Sequence, residues 1–323
     1  MNPVRVIGIA GFGALVALPG CAAGPVRYVS VPPPTAQALS LLGDTLWNLA
    51  LDPEEGQRRI RLLFKARDEA ADNPHNLNAK ILLARRTVDV GRLREAVGIY
   101  TEAIGENPVD LRLPRRRGEV LLQLRELDLA VGDLTRAARG ALLRATELEF
   151  NDLPDGSGLF ETTLQHSSLF FLAMAFYLKG DFTQAREIHV QALKRARNAD
   201  EVAKTSLWLF FATRRLGQRA EAAAVLGSIR PDMPVSMAAP EHQLLLAYRG
   251  DIPEDSLPVN LREPLRTEAD AVFGYGIGFA LLMQGREEEA GLAFQQVRAT
   301  PNWTALSFLA AEAELAWMRR PKL

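Results

Sequence analysis

From Thr35 to the end the chain keeps one rhythm. Apolar residues return at intervals of three and four, Ala, Leu, Arg, Glu and Gln dominate, and Gly or Pro interrupts the run about every dozen positions. That spacing puts an apolar stripe along one side of each of a series of short helices. No stretch alternates apolar and polar residues long enough to predict a strand, so the body reads as all-α.

Small residues add a second, longer period. Ala84 and Gly118, Ala96 and Ala130, and Ala103 and Ala137 are each 34 positions apart, as are Pro74 and Pro108. A period of 34 is that of the tetratricopeptide repeat, a pair of helices joined by a tight turn. Antiparallel helices approach at the close end of the roughly 8 to 10 Å range only when a small side chain sits at the crossing. Ala84 with Ala96, and Gly118 with Ala130, supply that contact in successive pairs. Ala103 and Ala137 let each second helix meet its successor, and Ala192 takes the same role further on. Pro74 and Pro108 end second helices, because the residue before a proline is kept out of the helical region.

The intervals return later in the chain. Ala173 and Ala185 are 12 apart, as are Gly278 and Ala290, and a glycine stands five residues before the packing alanine at Gly91, Gly180, Gly217 and Gly285. Repeats are therefore predicted at 77–110, 111–144, 166–199, 203–236 and 271–304. Residues 36–144 form an N-terminal block whose first part, 36–76, is a degenerate repeat. An inserted loop, 145–165, separates it from a C-terminal block, 166–323, with an irregular helical segment at 240–262 and a capping helix at 304–320. The expected architecture is an α-solenoid, whose stacked pairs curve into a concave groove able to hold a peptide or helix.

The amino-terminal end has a different pattern. Arg5 precedes Val6–Val16, an unbroken apolar and glycine run too short to span a bilayer as a helix, which is the order of a secretory signal. The run leads into Leu18-Pro19-Gly20-Cys21, and Cys21 is the single cysteine of the chain. This resembles the lipobox of bacterial lipoproteins, in which the cysteine is acylated and becomes the first residue. Residues 1–20 are then a signal peptide and 21–35, with Pro32, Pro33 and Pro34 in succession, an extended lipidated tether. Ala22 follows the cysteine in place of the aspartate that retains such proteins in an inner membrane, which implies the periplasmic face of the outer membrane.

With 48% hydrophobic residues the body is not disordered, and its net charge of −1 gives no reason to expect nucleic acid. The four histidines, His75, His166, His189 and His242, are scattered without the close spacing of a metal site. Asp152, Asp155 and Glu161 with Gly156 and Gly158 do not match the alternating ligands of a calcium loop. No nucleophile–base pair or glycine-rich phosphate loop stands out, so neither an enzyme nor a cofactor beyond the lipid on Cys21 is expected. Arg115-Arg116-Arg117 could meet a carboxylate or an anionic glycan, but a solvated helix face is the expectation. Trp208, Phe210, Phe211, Phe308 and Trp317 are expected in the core.

In the order of its pieces the chain resembles the NlpI family of tetratricopeptide lipoproteins, over about residues 75–318. The likeness lies in Ser206-Leu207-Trp208-Leu209-Phe210-Phe211-Ala212, in the segment Gln243–Leu261 with its Tyr248-Arg249-Gly250-Asp251-Ile252 turn, and in the repeat Tyr275–Val297 followed by a last helix. The resemblance implies a homodimeric outer-membrane adaptor that engages a periplasmic carboxy-terminal-processing protease and peptidoglycan hydrolases, presenting a hydrolase for turnover. A repeat-built assembly factor for outer-membrane proteins or pili is the alternative.

Overall fold

A computed structural model describes residues 35–49, 51–144, 146–152, 159–253 and 256–319. The residues of the lipobox, Leu18, Pro19, Gly20 and Cys21, and the preceding apolar run lie outside the described residues.

The described chain opens with a feature that the helical rhythm did not predict. β1 (Ala36–Leu39) and β2 (Thr45–Trp47) pair antiparallel across a turn at Leu41–Gly43, where Gly43 has a φ of +92°. Ala and Leu favour helix locally, but tertiary contacts decide here. The backbone N–H of Arg94 donates to the Gln37 side chain at 3.1 Å, and the Trp303 indole donates to the Trp47 carbonyl at 2.8 Å. Ala38 and Leu46 face inward from the hairpin.

α1 (Pro53–Asp72) starts with Asp52 accepting from two backbone N–H groups, Pro53 in the first turn and two glutamates beside the positive end of the helix dipole. It ends at Asn73, before Pro74. Residues 36–76, expected as a degenerate repeat, are thus a hairpin and one long helix.

Helix pairs follow. α2 (Leu77–Asp89) and α3 (Leu93–Glu106) form the first, α4 (Arg112–Gln123) and α5 (Leu127–Leu142) the second. After a hairpin come α6 (Leu164–Lys179) with α7 (Phe182–Leu193), and α8 (Ala199–Arg215) with α9 (Arg219–Gly227). α10 (Ala239–Arg249) stands without a second helix, because the described residues from Gly250 to Thr267 contain no α-helix. α11 (Glu268–Met283) and α12 (Glu287–Arg298) make a fifth pair, and α13 (Leu306–Met318) is last.

The turns inside four pairs use a left-handed glycine: Gly91, Gly180, Gly217 and Gly285, with φ between +73° and +81°. In the second pair the same place, five residues before Ala130, is held by Arg125 at φ +65°. A side chain there is strained by about 1 to 2 kcal/mol. The strain is offset because Arg125 reaches Glu312 at 2.9 Å and the Trp303 carbonyl at 3.0 Å, both on the far end of the chain.

The small residues lie at the crossings. Ala84, Ala96, Ala130, Ala137, Ala173, Ala185, Ala192 and Ala290 are fully buried, and Ala103 nearly so. A Cβ on Gly118 would stand 2.6 Å from Leu134 Cγ, and one on Gly278 2.7 Å from the Phe294 ring. Only hydrogen fits in either place, so α4 closes on α5 and α11 on α12.

The loop expected at 145–165 contains β3 (Leu148–Asp152) and β4 (Leu159–Thr163), paired in register from Leu148↔Thr163 to Asp152↔Leu159. Asp155, Gly156 and Gly158 lie outside the described residues.

The helix expected as a cap is an interior helix. From Ser307 to Leu315 every residue of α13 is buried, and it packs against α6, α11 and α12. Trp303 and Phe308 continue it into the core of α2, α3 and α4. The face lined by α6 and α11, the first helices of their pairs, is occupied along α13 by the chain's own last helix. Its two glutamates, Glu312 and Glu314, are buried and paired with Arg125 and Arg215.

Candidate functional site

The aromatic residues assigned to the core from sequence lie there. Trp208, Phe210, Phe211 and Phe308 are buried, and Trp317 is half-buried against Phe182 at 5.4 Å between centroids.

The arginine run is not a solvated face. Arg115 and Arg116 are buried, and both point at Glu149 of β3, at 2.8 and 3.4 Å. Burial alone would raise the Glu149 carboxyl, but the two guanidinium groups outweigh it and hold it at about 2, helped by the Ser167 hydroxyl at 2.7 Å. Arg117 grips Asp133 with two bonds of 2.6 and 2.8 Å. The run therefore pins the β3–β4 hairpin to α4 and ties α4 to α5. Single-sequence reading missed this because Glu149 lies in a segment with no helical rhythm, 34 residues from Arg115.

Two histidines that looked unrelated share one buried site. His166 Nδ1 lies 3.2 Å from Glu201 and its Nε2 lies 3.1 Å from the Thr205 hydroxyl. Burial works to raise the Glu201 carboxyl, but His166, the Thr162 hydroxyl and the Arg197 backbone N–H together hold it below its usual range. Hydroxyl, imidazole and carboxylate in that order resemble a nucleophilic triad. Thr205, however, is wholly buried, and the chain of bonds joins β4, α6 and α8. His189 lies edge-on to Phe170, and neither of its ring nitrogens has a hydrogen-bond partner. Burial drives its imidazole down to about 3, with His166 adding to the effect, so it is neutral at pH 7.

A third cluster sits under α13. Glu314 receives Arg215 at 2.9 Å and lies against the hydroxyls of Tyr177 and Tyr275, which are 2.7 Å from each other. Burial dominates and pushes the Glu314 carboxyl up to about 7, against the opposing pull of Arg215 and the tyrosines. Arg215 is sandwiched at 4.6 Å from Phe182 and 5.1 Å from Trp317. Among the described residues no three His, Cys, Asp or Glu groups gather as a metal site, and no helix is long and apolar enough to cross a membrane.

One concavity open to solvent lies where the repeat pattern fails. Because α10 has no second helix, the side of α9 facing α11 is left partly uncovered, and a pocket of about 300 Å³ remains between α8, α9, α10 and α11. Phe210 stacked on Tyr248 at 4.8 Å lines it, with Phe279, Ala222 and Leu226 packed behind and the Gln284 amide beside them. Tyr248 is locked from behind by its hydroxyl donating to the Gly276 carbonyl at 2.5 Å. At the rim stand Arg214, from the last turn of α8, and Arg219, the first residue of α9. Neither has an ion pair or side-chain hydrogen bond among the described residues, whereas the adjacent Arg215 is committed to Glu314.

No family model and no curated protein matches the chain. Among solved structures it is similar to a tetratricopeptide repeat protein from Parabacteroides merdae, at 14% identity over 80% of this chain and 99% of that one, with a TM-score of 0.46. It is also similar to a putative kinesin light chain of Podosopora anserina with nearly identical TPR-like repeats, at 18% identity over 69% of this chain and 93% of that one, TM-score 0.41. MamA MSR-1 C2 matches at 16% identity over 54% of this chain and 93% of that one, TM-score 0.36. The helix pairs themselves, with a small residue at each crossing and a left-handed residue in each internal turn, define a helical-repeat protein of the tetratricopeptide type.

Proposed function

We propose that this chain is a lipid-anchored scaffold on the periplasmic face of the outer membrane, which holds other proteins and brings peptidoglycan hydrolases to a processing protease. One observation carries the scaffold reading: stacked helix pairs leave a pocket open to solvent between α8 and α11, lined by aromatic side chains and two arginines. Apolar side chains also stand in water at another place on the same body, where Leu143 is 88% and Val109 73% exposed. The titratable clusters, in contrast, are closed within the fold and link its own elements.

The anchor and the address are supported by Leu18-Pro19-Gly20-Cys21 and by Ala22. The choice of protease and hydrolases is supported by the resemblance to the NlpI family along residues 75–318. Since α13 fills the face along α6 and α11, partners would sit on the pocket and the outer surfaces. The test is crosslinking of the full-length protein in cells, followed by identification of what it captures. Recovery of a periplasmic protease together with a peptidoglycan hydrolase is expected. Capture of pilus or porin components alone would replace this reading with an assembly factor.

A further inference from the structure

We infer that the pocket between α8, α9, α10 and α11 is a docking site for an acidic peptide segment of a partner, with one large apolar side chain seated against Tyr248 and the edge of Phe210. Flanking Asp or Glu side chains of the peptide meet Arg214 and Arg219. The inference deepens the scaffold reading and rests on it.

The size of the site sets the kind of occupant. At about 300 Å³ it is at the small end for ligand pockets and takes one aromatic or leucine side chain. Besides the two arginines, the Gln284 amide lines it, and its Oε1 accepts from Arg286 at 3.4 Å. Binding there combines burial of one apolar side chain with polar recognition by the arginines.

The charge at the mouth sets the sequence around that anchor. Arg214 and Arg219 flank the entrance without an acidic partner among the described residues. Several other arginines at the ends of helices are paired, Arg112 with Asp110, Arg249 with Asp251 and Arg286 with Glu289, while Arg139 in the last turn of α5 stands exposed away from this pocket. Two free guanidinium groups beside a cleft lined with aromatic side chains attract carboxylates and fit them with two parallel hydrogen bonds each. The site is also preformed. Phe210 belongs to the core, Tyr248 is fixed to Gly276, and Arg214 sits one residue from a guanidinium clamped between two rings. Little ordering is then required on binding.

The test uses the full-length protein and one amidated, acetylated decapeptide probe. The probe carries a central phenylalanine with two aspartates on each side in a glycine–serine background. Fluorescence anisotropy at 50 mM salt is expected to show saturable binding. Replacing the phenylalanine by alanine, or the aspartates by asparagine, should each weaken it at least tenfold. Arg214→Glu and Arg219→Glu should each do the same with unchanged melting temperature, while Arg139→Glu, an exposed arginine far along the chain, should leave binding within twofold. Ala223→Trp, at an exposed position on the pocket wall, should block the site without unfolding α9. No binding of the probe at 1 mM overturns the proposal, as does binding that survives the arginine reversals. Dependence on a free terminal carboxylate in place of the side-chain acids overturns it too, and so does equal competition by a single-stranded oligonucleotide. Partners that remain crosslinked to the Arg214→Glu, Arg219→Glu protein in cells would keep the scaffold and remove this pocket from it.

Discussion

Arg125 and Glu312 join the two ends of the described chain, and their separation should be costly in a way that can be measured. Arg125 occupies a left-handed turn position at φ +65°, where four sister turns have glycine. Its guanidinium lies against Trp303 and Phe308 and pairs with Glu312, whose side chain is fully buried and also accepts from the Leu41 backbone N–H at 2.6 Å. Changing Glu312→Gln keeps the shape and an acceptor for Leu41 but leaves a buried cation without its counter-charge. Removal of one partner of a buried pair costs about 3 to 5 kcal/mol, and the retained acceptor puts this case near 3. Arg125→Gly removes the backbone strain, worth about 1 kcal/mol, but leaves a buried carboxylate, so it also destabilises. The double variant has neither buried charge nor strain. Its loss should be smaller than the sum of the single losses by about 2 kcal/mol or more. Urea denaturation followed by circular dichroism reads all four proteins, and a melting shift of roughly 2 °C per kcal/mol should accompany each loss. Additive losses would refute the argument that the ion pair stabilises an otherwise unfavourable turn.

Three further changes test other parts of the fold. The Glu314 carboxyl is raised by burial to about 7 from the model-compound value of 4.5, so it favours folding when protonated. That stability is fully present below about pH 4.5 and is lost as pH rises through about 7. Glu314→Gln should flatten the pH–stability curve across that window; an unchanged slope would contradict it. The Glu149 carboxyl is depressed, so its contribution is present at neutral pH and lost only as pH falls toward 2. Glu149→Gln should therefore speed hydrogen exchange of the paired amides of β3 and β4 by tenfold or more at pH 7, with the helix pairs α6–α7 and α11–α12 unaffected. Gly118→Ala sets a Cβ into Leu134 and should cost about 1 to 3 kcal/mol, whereas Gly98→Ala in α3, with nothing within 4 Å, should gain up to about 1 kcal/mol. Equal effects at the two glycines would show that helix crossing distance is not what selects Gly118.

The helix pairs could be read from the chain because their determinants are local and repeated. A small residue at a crossing and a glycine in a turn leave a period that composition alone does not create. Features set by one long-range contact left no period. The β1–β2 hairpin is written in residues that favour helix, and its geometry depends on Arg94 and Trp303, the latter 256 positions from its acceptor Trp47. The arginine run looked solvated because its counter-charge, Glu149, sits in an irregular segment. α13 looked like a cap because it follows the last repeat; only the positions of Arg125 and Arg215, which pair with Glu312 and Glu314, reveal it as interior. One clue was present in the sequence: the turn position before Ala130 has Arg125 where its sisters have glycine. The pocket was half legible. The irregular stretch at 240–262 pointed to a break in the repeat, but not to the aromatic lining that the missing helix uncovers.

The scaffold assignment is tested most directly by reconstitution with the protease and the hydrolase that crosslinking recovers. The rate of hydrolase cleavage is followed as this protein is titrated from zero to a large excess. A connector that must hold both partners at once gives a rate that rises, peaks near equal concentrations and falls again as separate half-complexes form. A flat response, or turnover of purified peptidoglycan by this protein alone, would contradict the account.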